Sequence, residues 1–396
     1  MDPLRTLLDL PDAEKIERGL QHTPHEISQQ PATWAKTYER CGELQTGLNE
    51  VLRDAGIGRG ATASPTVYLV GAGTSDYTGR ALAPLLRCRW GCDVWAVPST
   101  TLLTDFEDFH LAGREYLWIS FSRSGDSPEG VALLERALDQ KRGIRHIVIT
   151  CNQQGQMAKI CARHEGRALA VILDEAVNDR GLAMTSSFSN MVLAGQCLAN
   201  LADFTAFGDR VGQMSEAGKK FLPVAAEAAA AITLLGCTRA CFVGSGALRA
   251  VADESSLKVV ELSAGKVTTL AETPLGLRHG PLSSVDSNSV FVAFLSSEAR
   301  RRGYEVDLLR EIDRKRLGRV RAVITTQGFN DVSSLADYPL PLECAPDFPD
   351  QYRPVLDVML GQLIGLFASM RSGLKPDQPS PNGTITRVVS PIKLYS

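Results

Sequence analysis

The chain has 396 residues, of which 44% are hydrophobic and 22% are charged. This is ordinary globular composition, and the length fits two or three domains of about 150 residues each. The chain carries 42 Lys and Arg against 45 Asp and Glu, a formal net charge of −3. No basic excess therefore indicates a nucleic-acid partner or an anionic membrane surface.

Nine cysteines are spread along the chain, an odd number in a protein too long to need disulfide bonds for stability. Two pairs, Cys88/Cys92 and Cys237/Cys241, have neither a second pair nor a histidine at zinc-site spacing. We therefore expect reduced thiols, no metal site and no cofactor. The N-terminus has no long apolar region, so we expect a cytoplasmic protein without a membrane-spanning segment.

The first 60 residues predict a helical leader. The stretches TLLDLPDAEKIERGL (6–20) and WAKTYERCGELQTGLNEVLRDAG (34–56) have apolar residues near helical spacing, and a segment around Pro24 and Pro31 separates them. Three glycines end this part of the chain: Gly56, Gly58 and Gly60.

From Thr66 the pattern changes to strand, turn and helix, written TVYLV, GAGTSDYTG and RALAPLLRCRW. The same unit recurs from Ala240, and Gly244 lies 173 residues after Gly71. Two further strand-like segments, YLWISF and HIVIT, recur at this offset or within two residues of it, as SVFVAF and RAVIT. The nearly constant spacing predicts a tandem duplication of one α/β domain with a parallel sheet.

The predicted fold class is therefore α/β, with two tandem doubly wound parallel-sheet domains behind a helical leader. The helices after the second matching strands also correspond, as PEGVALLERALDQKRG and GYEVDLLREIDRKRLG. We place the leader at residues 1–47, the first domain at 48–208, the second at 209–372 and a loop-rich tail at 373–396.

The segment VGAGTSDYTG (70–79) runs from a strand through a glycine-rich turn into a helix. Such a turn presents backbone N–H groups and a helix N-terminus to an anion. The segment lacks the third glycine and the following acid of a dinucleotide fingerprint, and it does not match the Walker pattern. Taken alone, it favours a tight turn without a ligand.

The segment SFSRSGDSPEG (120–130), called the serine loop below, follows another predicted strand and opens a helix at Pro128. The hydroxyls of Ser122, Ser124 and Ser127, with the amides around Gly125, predict an uncharged binding site for a phosphomonoester. A helix cap is the alternative, but a cap needs one serine rather than three.

Three residues of the second half are candidates for proton transfer. Lys258 and Glu261 are three apart on a predicted helix, so they share a face, although a solvated ion pair is the common meaning of this spacing. His279 lies in the loop GLRHGPL, where it has no helical core face to fill, and this favours a functional role.

The motifs GAGTS, SFSRSGDSPE, LKVVE and RHGPLS, in this order in a duplicated chain, resemble the sugar isomerase (SIS) domain family. That family includes the isomerase half of glutamine–fructose-6-phosphate transaminase. The chain is more similar still to the tandem-SIS D-galactosamine-6-phosphate deaminase/isomerases of the AgaS type. The segments HTPHEISQQPATW (22–34), VNDRGLAMTSSFSNM (177–191) and PNGTITRVVSPIKLY (381–395) carry this closer likeness.

The resemblance implies roles for individual residues. Glu261 matches the base that moves a proton between C1 and C2, and Lys258 matches the lysine before it. His279 matches the ring-opening histidine, which in the transaminase comes from the neighbouring subunit. Thr74 and Arg387 are further expected substrate contacts. Five residues are expected to bind the sugar phosphate, with an arginine in place of the transaminase glutamine: Ser75, Ser122, Arg123, Ser124 and Ser127.

The expected reaction is a deaminating isomerisation, most readily of D-galactosamine 6-phosphate and water to D-tagatose 6-phosphate and ammonia. The chain begins MDPLR and spends its length on the leader and the two repeats, so we expect no glutaminase domain and hence ammonia release rather than glutamine-driven synthesis. Glucosamine 6-phosphate is a less favoured substrate. The alternatives are a tagatose-6-phosphate ketose/aldose isomerase and a sugar-phosphate-binding regulator without catalysis.

The second repeat has FLSSEARRRG (294–303) where the first has the serine loop, with Leu295 in place of Ser122. We therefore expect one phosphate site per chain, in the first repeat, with catalytic groups from the second. This division implies a site at a domain interface, and the resemblance implies a homodimer that completes it.

Overall fold

The structure is a computed structural model of the chain. It describes residues 2–59, 64–111, 113–141, 143–328, 332–390 and 392–395. Two residues of the predicted features lie outside the described residues. They are Gly60, which was expected to help end the leader, and Pro391 of the C-terminal motif.

Helices and strands alternate along most of the described chain. In chain order they are α1 (Pro3–Leu8), α2 (Asp12–Arg18), α3 (Thr23–Glu43), α4 (Gln45–Ala55), β1 (Thr66–Gly71), α5 (Thr74–Trp90), β2 (Val94–Pro98), α6 (Ser99–Thr104), β3 (Tyr116–Ser122), α7 (Pro128–Gln140), β4 (Ile144–Thr150), α8 (Gln156–Arg163), β5 (Ala168–Ile172), α9 (Ser186–Ala199), α10 (Phe204–Leu234), β6 (Arg239–Gly244), α11 (Ala247–Leu262), β7 (Thr268–Glu272), α12 (Pro274–Leu277), β8 (Ser289–Phe294), α13 (Ala299–Arg314), β9 (Val320–Thr326), β10 (Tyr338–Leu342) and α14 (Pro354–Arg371).

The chain forms two compact units, each built from segments that are distant in sequence. Unit 1 comprises Met1–Pro31, Arg180–Thr185 and Gly212–Thr384. Unit 2 comprises Ala32–Asp179, Ser186–Val211 and Ile385–Ser396.

Unit 2 contains a parallel five-stranded sheet in the order β2-β1-β3-β4-β5. The three inner strands are almost entirely buried, as continuous apolar runs such as YLWIS require in a sheet that is covered on both faces. On one face, aromatic and aliphatic side chains form a core cluster around Tyr68, Phe106, Trp118 and Leu133.

Unit 1 contains a second parallel sheet, in the corresponding order β7-β6-β8-β9-β10. Its core includes Phe291, Leu309 and Val323. These two sheets, with their flanking helices, confirm the predicted α/β fold class.

Helix α14 packs against α11 in unit 1. Two glycines of α14 allow this contact: a Cβ at Gly361 would lie 2.1 Å from Ser255 Oγ, and one at Gly365 would lie 2.9 Å from the Lys258 carbonyl oxygen. Among the described residues, α14 is the one helix long and apolar enough to cross a membrane, and 83% of its residues are buried in the structure.

The leader differs from the prediction at Pro31, because α3 continues through the segment that was expected to separate two helices. A proline at position 31 leaves the Ile27 carbonyl without its helical N–H donor. The Gln30 side-chain amide donates to that carbonyl at 2.9 Å and so replaces the missing bond. The glycine stop is confirmed at Gly56, which ends α4 with a φ of 95°.

Candidate active site

In unit 2 the chain passes from β1 outwards to β2 and then returns to β3 on the other side of β1. In open α/β sheets, ligands bind at the carboxyl ends of the strands where the order reverses in this way. Ser75 follows β1 and the serine loop follows β3, and these strands are direct neighbours, with Val70 opposite Ser120. The fold therefore brings two of the predicted phosphate-binding segments to the same edge of the sheet.

The glycine-rich turn after β1 allows close packing of strand and helix. A Cβ at Gly71 would lie 2.4 Å from the carbonyl carbon of Ser75, and Gly73, the N-cap of α5, has a φ of 56°. Thr74 and Ser75 form the first turn of α5 and are both buried. The turn thus directs the amide end of α5 towards the carboxyl edge of the sheet.

The same geometry recurs in unit 1 at the predicted offset. A Cβ at Gly244 would lie 2.3 Å from the Leu248 carbonyl oxygen, and Gly246 has a φ of 59°. The two strand-to-helix turns therefore have the same backbone requirement for glycine.

The serine loop is held in a compact turn by its own hydrogen bonds. The Gly125 N–H donates to Ser122 Oγ at 3.0 Å, and the Asp126 N–H donates to Ser124 Oγ at 3.2 Å. Gly125 has a φ of 66°, in the left-handed region that other residues rarely adopt. These hydrogen bonds between backbone amides and serine hydroxyls therefore fix the shape of the loop.

The neighbouring β4–α8 connection supports the loop from one side. Asn152 Nδ2 donates to the Ser124 carbonyl at 2.8 Å, the Gln156 N–H donates to Asp126 Oδ1 at 2.9 Å, and the Met157 N–H donates to the Gly125 carbonyl at 2.9 Å. Sequence reasoning missed these supporting residues. The only local signal was their position after the next strand of the sheet.

Ser127 occupies the N-cap position of α7, but its side chain makes no capping hydrogen bond. Its hydroxyl lies beside Gly130, where a Cβ would approach Ser127 Oγ to 2.7 Å. The capping alternative therefore does not explain this serine, and its hydroxyl is not committed to the helix end.

Arg123 and Arg387 connect the serine loop to the C-terminal segment within unit 2. Arg123 is buried, and its Nη2 donates to the Arg387 carbonyl at 2.6 Å. The Arg387 guanidinium donates in turn to the Asp179 carbonyl and to Asn178 Oδ1, each at 2.8 Å. Both arginines thus make backbone contacts that fix the C-terminal segment beside the loop.

In unit 1, α11 carries a charged cluster that is largely removed from water. Lys258 is fully buried, and its Nζ lies 2.5 Å from Glu261 Oε2 and 3.4 Å from Glu254 Oε1. Glu254 is also fully buried, whereas the Glu261 side chain is 23% exposed. The partly exposed Glu261 carboxylate is accessible to a ligand, whereas the Lys258 side chain is enclosed by protein. This arrangement differs from a solvated surface ion pair.

Glu254 was not among the predicted site residues. Its position four residues before Lys258 on the same helix was a usable signal, because residues four apart share a face. The spacing could show the shared face but not the complete burial.

His279 follows α12 and is exposed in unit 1. Its backbone N–H donates to the Gly276 carbonyl at 3.0 Å, and the adjacent Arg278 binds Glu311 at 2.8 Å.

The predicted site residues are divided between the two units. Unit 1 contains Lys258, Glu261 and His279, whereas unit 2 contains Thr74, Ser75, the serine loop and Arg387. Among the described residues, no three His, Cys, Asp or Glu side chains are grouped as metal ligands.

No protein-family model matches the chain. A curated relative, the D-galactosamine-6-phosphate deaminase AgaS of Escherichia coli O157:H7, is 33% identical, and the match covers 94% of this chain and 95% of the relative. Among solved structures, the tagatose-6-phosphate ketose/aldose isomerase of Escherichia coli matches with a TM-score of 0.82 and 32% identity over 92% of this chain and 95% of its own.

The C-terminal domain of glucosamine-fructose-6-phosphate aminotransferase from Francisella tularensis shares the fold. The TM-score is 0.72 at 17% identity, and the match covers 90% of this chain and 97% of that domain.

Proposed function

The chain belongs to the D-galactosamine-6-phosphate deaminase AgaS family, and we propose that it converts D-galactosamine 6-phosphate and water into D-tagatose 6-phosphate and ammonia. The named activity of the relative supports this substrate. The observation that carries the proposal is the buried Lys258 beside the partly exposed Glu261 carboxylate, 2.5 Å apart on α11.

The sugar phosphate binds, in this proposal, to Ser75, Ser122, Ser124 and Ser127, with Thr74 as a further contact. Hydroxyls, loop amides and the N-terminal ends of α5 and α7 supply donors without a fixed cationic surface. Each hydrogen bond to the charged phosphate would contribute about 1.5–3 kcal/mol. Arg123 and Arg387 also stabilise the loop and the C-terminal segment, and in this proposal Arg123 is a further phosphate contact and Arg387 a further substrate contact.

Glu261 acts as the general base in the proposed reaction. His279 assists opening of the sugar ring, which gives an aldehyde at C1 and makes the proton on C2 acidic. Glu261 removes this proton and returns it to C1. Lys258 remains a buried cation beside the carboxylate, where it stabilises the negative charge that develops on the substrate.

As the proton moves from C2 to C1, O1 gains a proton and the C2 nitrogen loses one, so the aldehyde becomes an alcohol and the amine becomes an imine. Water adds to the imine carbon and ammonia leaves, which gives the ketose phosphate. No electrons are exchanged with another molecule.

The Glu261→Gln variant tests the base assignment. We expect the rate of ammonia release to fall about 10²–10⁴-fold, because the amide cannot accept the C2 proton, while binding of tagatose 6-phosphate by calorimetry is retained. Unchanged ammonia release would contradict the role of Glu261. A variant that no longer catalyses the reaction, but still binds the sugar phosphate and keeps its effect in the cell, would favour the regulatory alternative.

A second candidate function is aldose–ketose isomerisation of tagatose 6-phosphate. The solved structure that bears this name is 32% identical and shares the fold over most of the chain. The same proton transfer on a substrate with a hydroxyl at C2 releases no ammonia. Parallel assays of ammonia release and of isomerisation separate the two functions.

We also propose a cytoplasmic homodimer in which the exposed His279 completes the site of the partner subunit. Light scattering tests the dimer, and mixed dimers of Glu261→Gln and His279→Ala chains test the exchange. In a symmetric dimer, mixing two inactive variants restores about a quarter of the activity if the residues act across subunits, and none if each chain acts alone.

A further inference from the structure

The loop after β8 in unit 1, Leu295–Glu298, occupies the position in its sheet that the serine loop occupies after β3 in unit 2. It retains two serines, Ser296 and Ser297, and leads into α13, a helix of 16 residues. By position alone, this loop lies where an anion would bind in this fold.

One side chain of unit 1, Asp350, binds the hydrogen-bond donors of this loop. Asp350 Oδ1 accepts from the Ser297 N–H at 2.9 Å and from the Ser297 hydroxyl at 3.0 Å, and Asp350 Oδ2 accepts from the Ser296 hydroxyl. The side chain of Asp350 is 2% exposed. A single carboxylate therefore accepts hydrogen bonds from two hydroxyls and one amide, which are the donor types that bind a phosphate oxygen.

Two arginines complete the surroundings of this carboxylate. Arg353 Nη1 lies 3.3 Å from Asp350 Oδ1 and donates to the Leu295 carbonyl at 2.6 Å, while Arg301 Nη1 lies 3.6 Å from Asp350 Oδ2. The Arg353 guanidinium is fully buried and also binds Asp357 at 2.6 Å. These positive charges would stabilise either a carboxylate of the chain or a phosphate ion from solution.

A second acidic side chain binds another amide of the loop. Glu305 of α13 is buried, and its Oε2 accepts from the Ser296 N–H at 2.7 Å. In both units, loop hydroxyls accept hydrogen bonds from loop amides: Ser122 and Ser124 do so in unit 2, and Ser296 accepts from the Glu298 N–H at 3.0 Å in unit 1. The unit 1 loop differs in that buried carboxylates accept from the Ser296 and Ser297 donors.

We propose that Asp350 is an internal ligand that occupies the anion site of unit 1 and closes it to phosphate. The chain then has two oxyanion sites of common design, of which the serine loop alone is open to a sugar phosphate. Removal of the Asp350 carboxylate, without filling its space, opens the second site to inorganic phosphate.

The first test compares equivalent serines of the two loops by substrate kinetics. We expect Ser297→Ala to change the KM for D-galactosamine 6-phosphate less than about twofold, and Ser124→Ala to raise it about tenfold or more. An equal rise in both variants would overturn the proposal, because the unit 1 loop would then bind substrate. If neither variant changes KM, the serine-loop assignment fails while the closed state of the unit 1 loop is supported.

The second test uses thermal unfolding in increasing inorganic phosphate. We expect Asp350→Ala to gain a saturable rise in Tm of a few degrees beyond the response of the unchanged protein, because phosphate enters the vacated site. Asp350→Asn is the matched control, since it removes the charge but keeps the space filled, and it should show no added response. An equal rise in Tm with phosphate in both variants and in the unchanged protein would overturn the proposal. If Asp350→Ala does not fold, the kinetic comparison of Ser297→Ala with Ser124→Ala decides it.

Discussion

The Lys258 side chain is fully buried between two carboxylates of its own helix, Glu254 and Glu261. Taking a lysine and a glutamate out of water costs several kcal/mol for each ion, and only their close mutual contact offsets that cost. A fold that retains such a cluster with one carboxylate partly exposed is suited to holding a base in a fixed position. The sequence could indicate the shared helix face of Lys258 and Glu261, but the burial depends on packing from distant segments.

Replacing Lys258 with methionine should destabilise the protein strongly. The neutral side chain leaves the Glu254 and Glu261 carboxylates without their cation, and breaking a buried pair in this way costs about 3–5 kcal/mol. Urea unfolding of the variant measures this cost. The control is Lys219→Met, which breaks an exposed, solvent-screened pair with Glu216 and should cost far less. Equal costs for the two variants would show that the Lys258 cluster is not a buried charge network.

His146 of β4 should make the stability depend on pH. Burial lowers the pKa of this histidine from 6.5 to about 3, so the folded protein keeps it neutral while the unfolded chain binds a proton below pH 6.5. The unfolded state then binds more protons between about pH 3 and 6.5, and stability falls as the pH falls through that window.

The histidine's contribution to this fall approaches about 1.4 kcal/mol per pH unit well below pH 6.5. Urea unfolding between pH 7 and pH 5 should show a steeper loss for the unchanged protein than for His146→Phe. The two proteins would lose stability in parallel if His146 were protonated in the folded state.

At the scale of elements, the inner strands of both sheets were predictable and the outer strands were not. The six predicted strands correspond to β1, β3, β4, β6, β8 and β9. Each is flanked on both sides by other strands and carries a continuous apolar run. The four missed strands, β2, β5, β7 and β10, are all sheet edges with half-exposed residues, and their sequences therefore lack this signal.

The helix pair α11 and α14 positions Lys258 and Glu261. Gly365→Ala should lower both stability and activity, because its methyl group would press against the Lys258 backbone, and overpacking of this kind costs about 1–3 kcal/mol. The measurements are urea unfolding and kcat for ammonia release.

Gly303→Ala in α13 is the matched control, since no atom lies within 4 Å of its added Cβ. Alanine is the better helix former, so this variant should be stabilised by about 0.5–1 kcal/mol with unchanged kcat. A Gly365→Ala protein that behaves like this control would contradict the close contact of α11 with α14.

At the scale of the whole molecule, the constant sequence offset predicted two similar α/β sheets, and their strand orders correspond. The sequence also indicated that the loop after β8 had lost Ser122's counterpart. It could not show that Asp350, 54 residues beyond Ser296, binds that loop, because no periodicity links residues so far apart. Likewise, the support that Asn152 and Met157 give to the serine loop depends on the order of the strands rather than on any local motif.

In the proposed reaction, the chain releases ammonia from an amino-sugar phosphate by proton transfer to and from Glu261. The most direct measurement incubates the purified protein with D-galactosamine 6-phosphate and quantifies ammonia and tagatose 6-phosphate together, beside the Glu261→Gln variant and beside D-glucosamine 6-phosphate. The expected result is one ammonia for each tagatose 6-phosphate formed, with little product from the variant and less from the gluco substrate. Absence of ammonia from both amino sugars would contradict the proposed deamination.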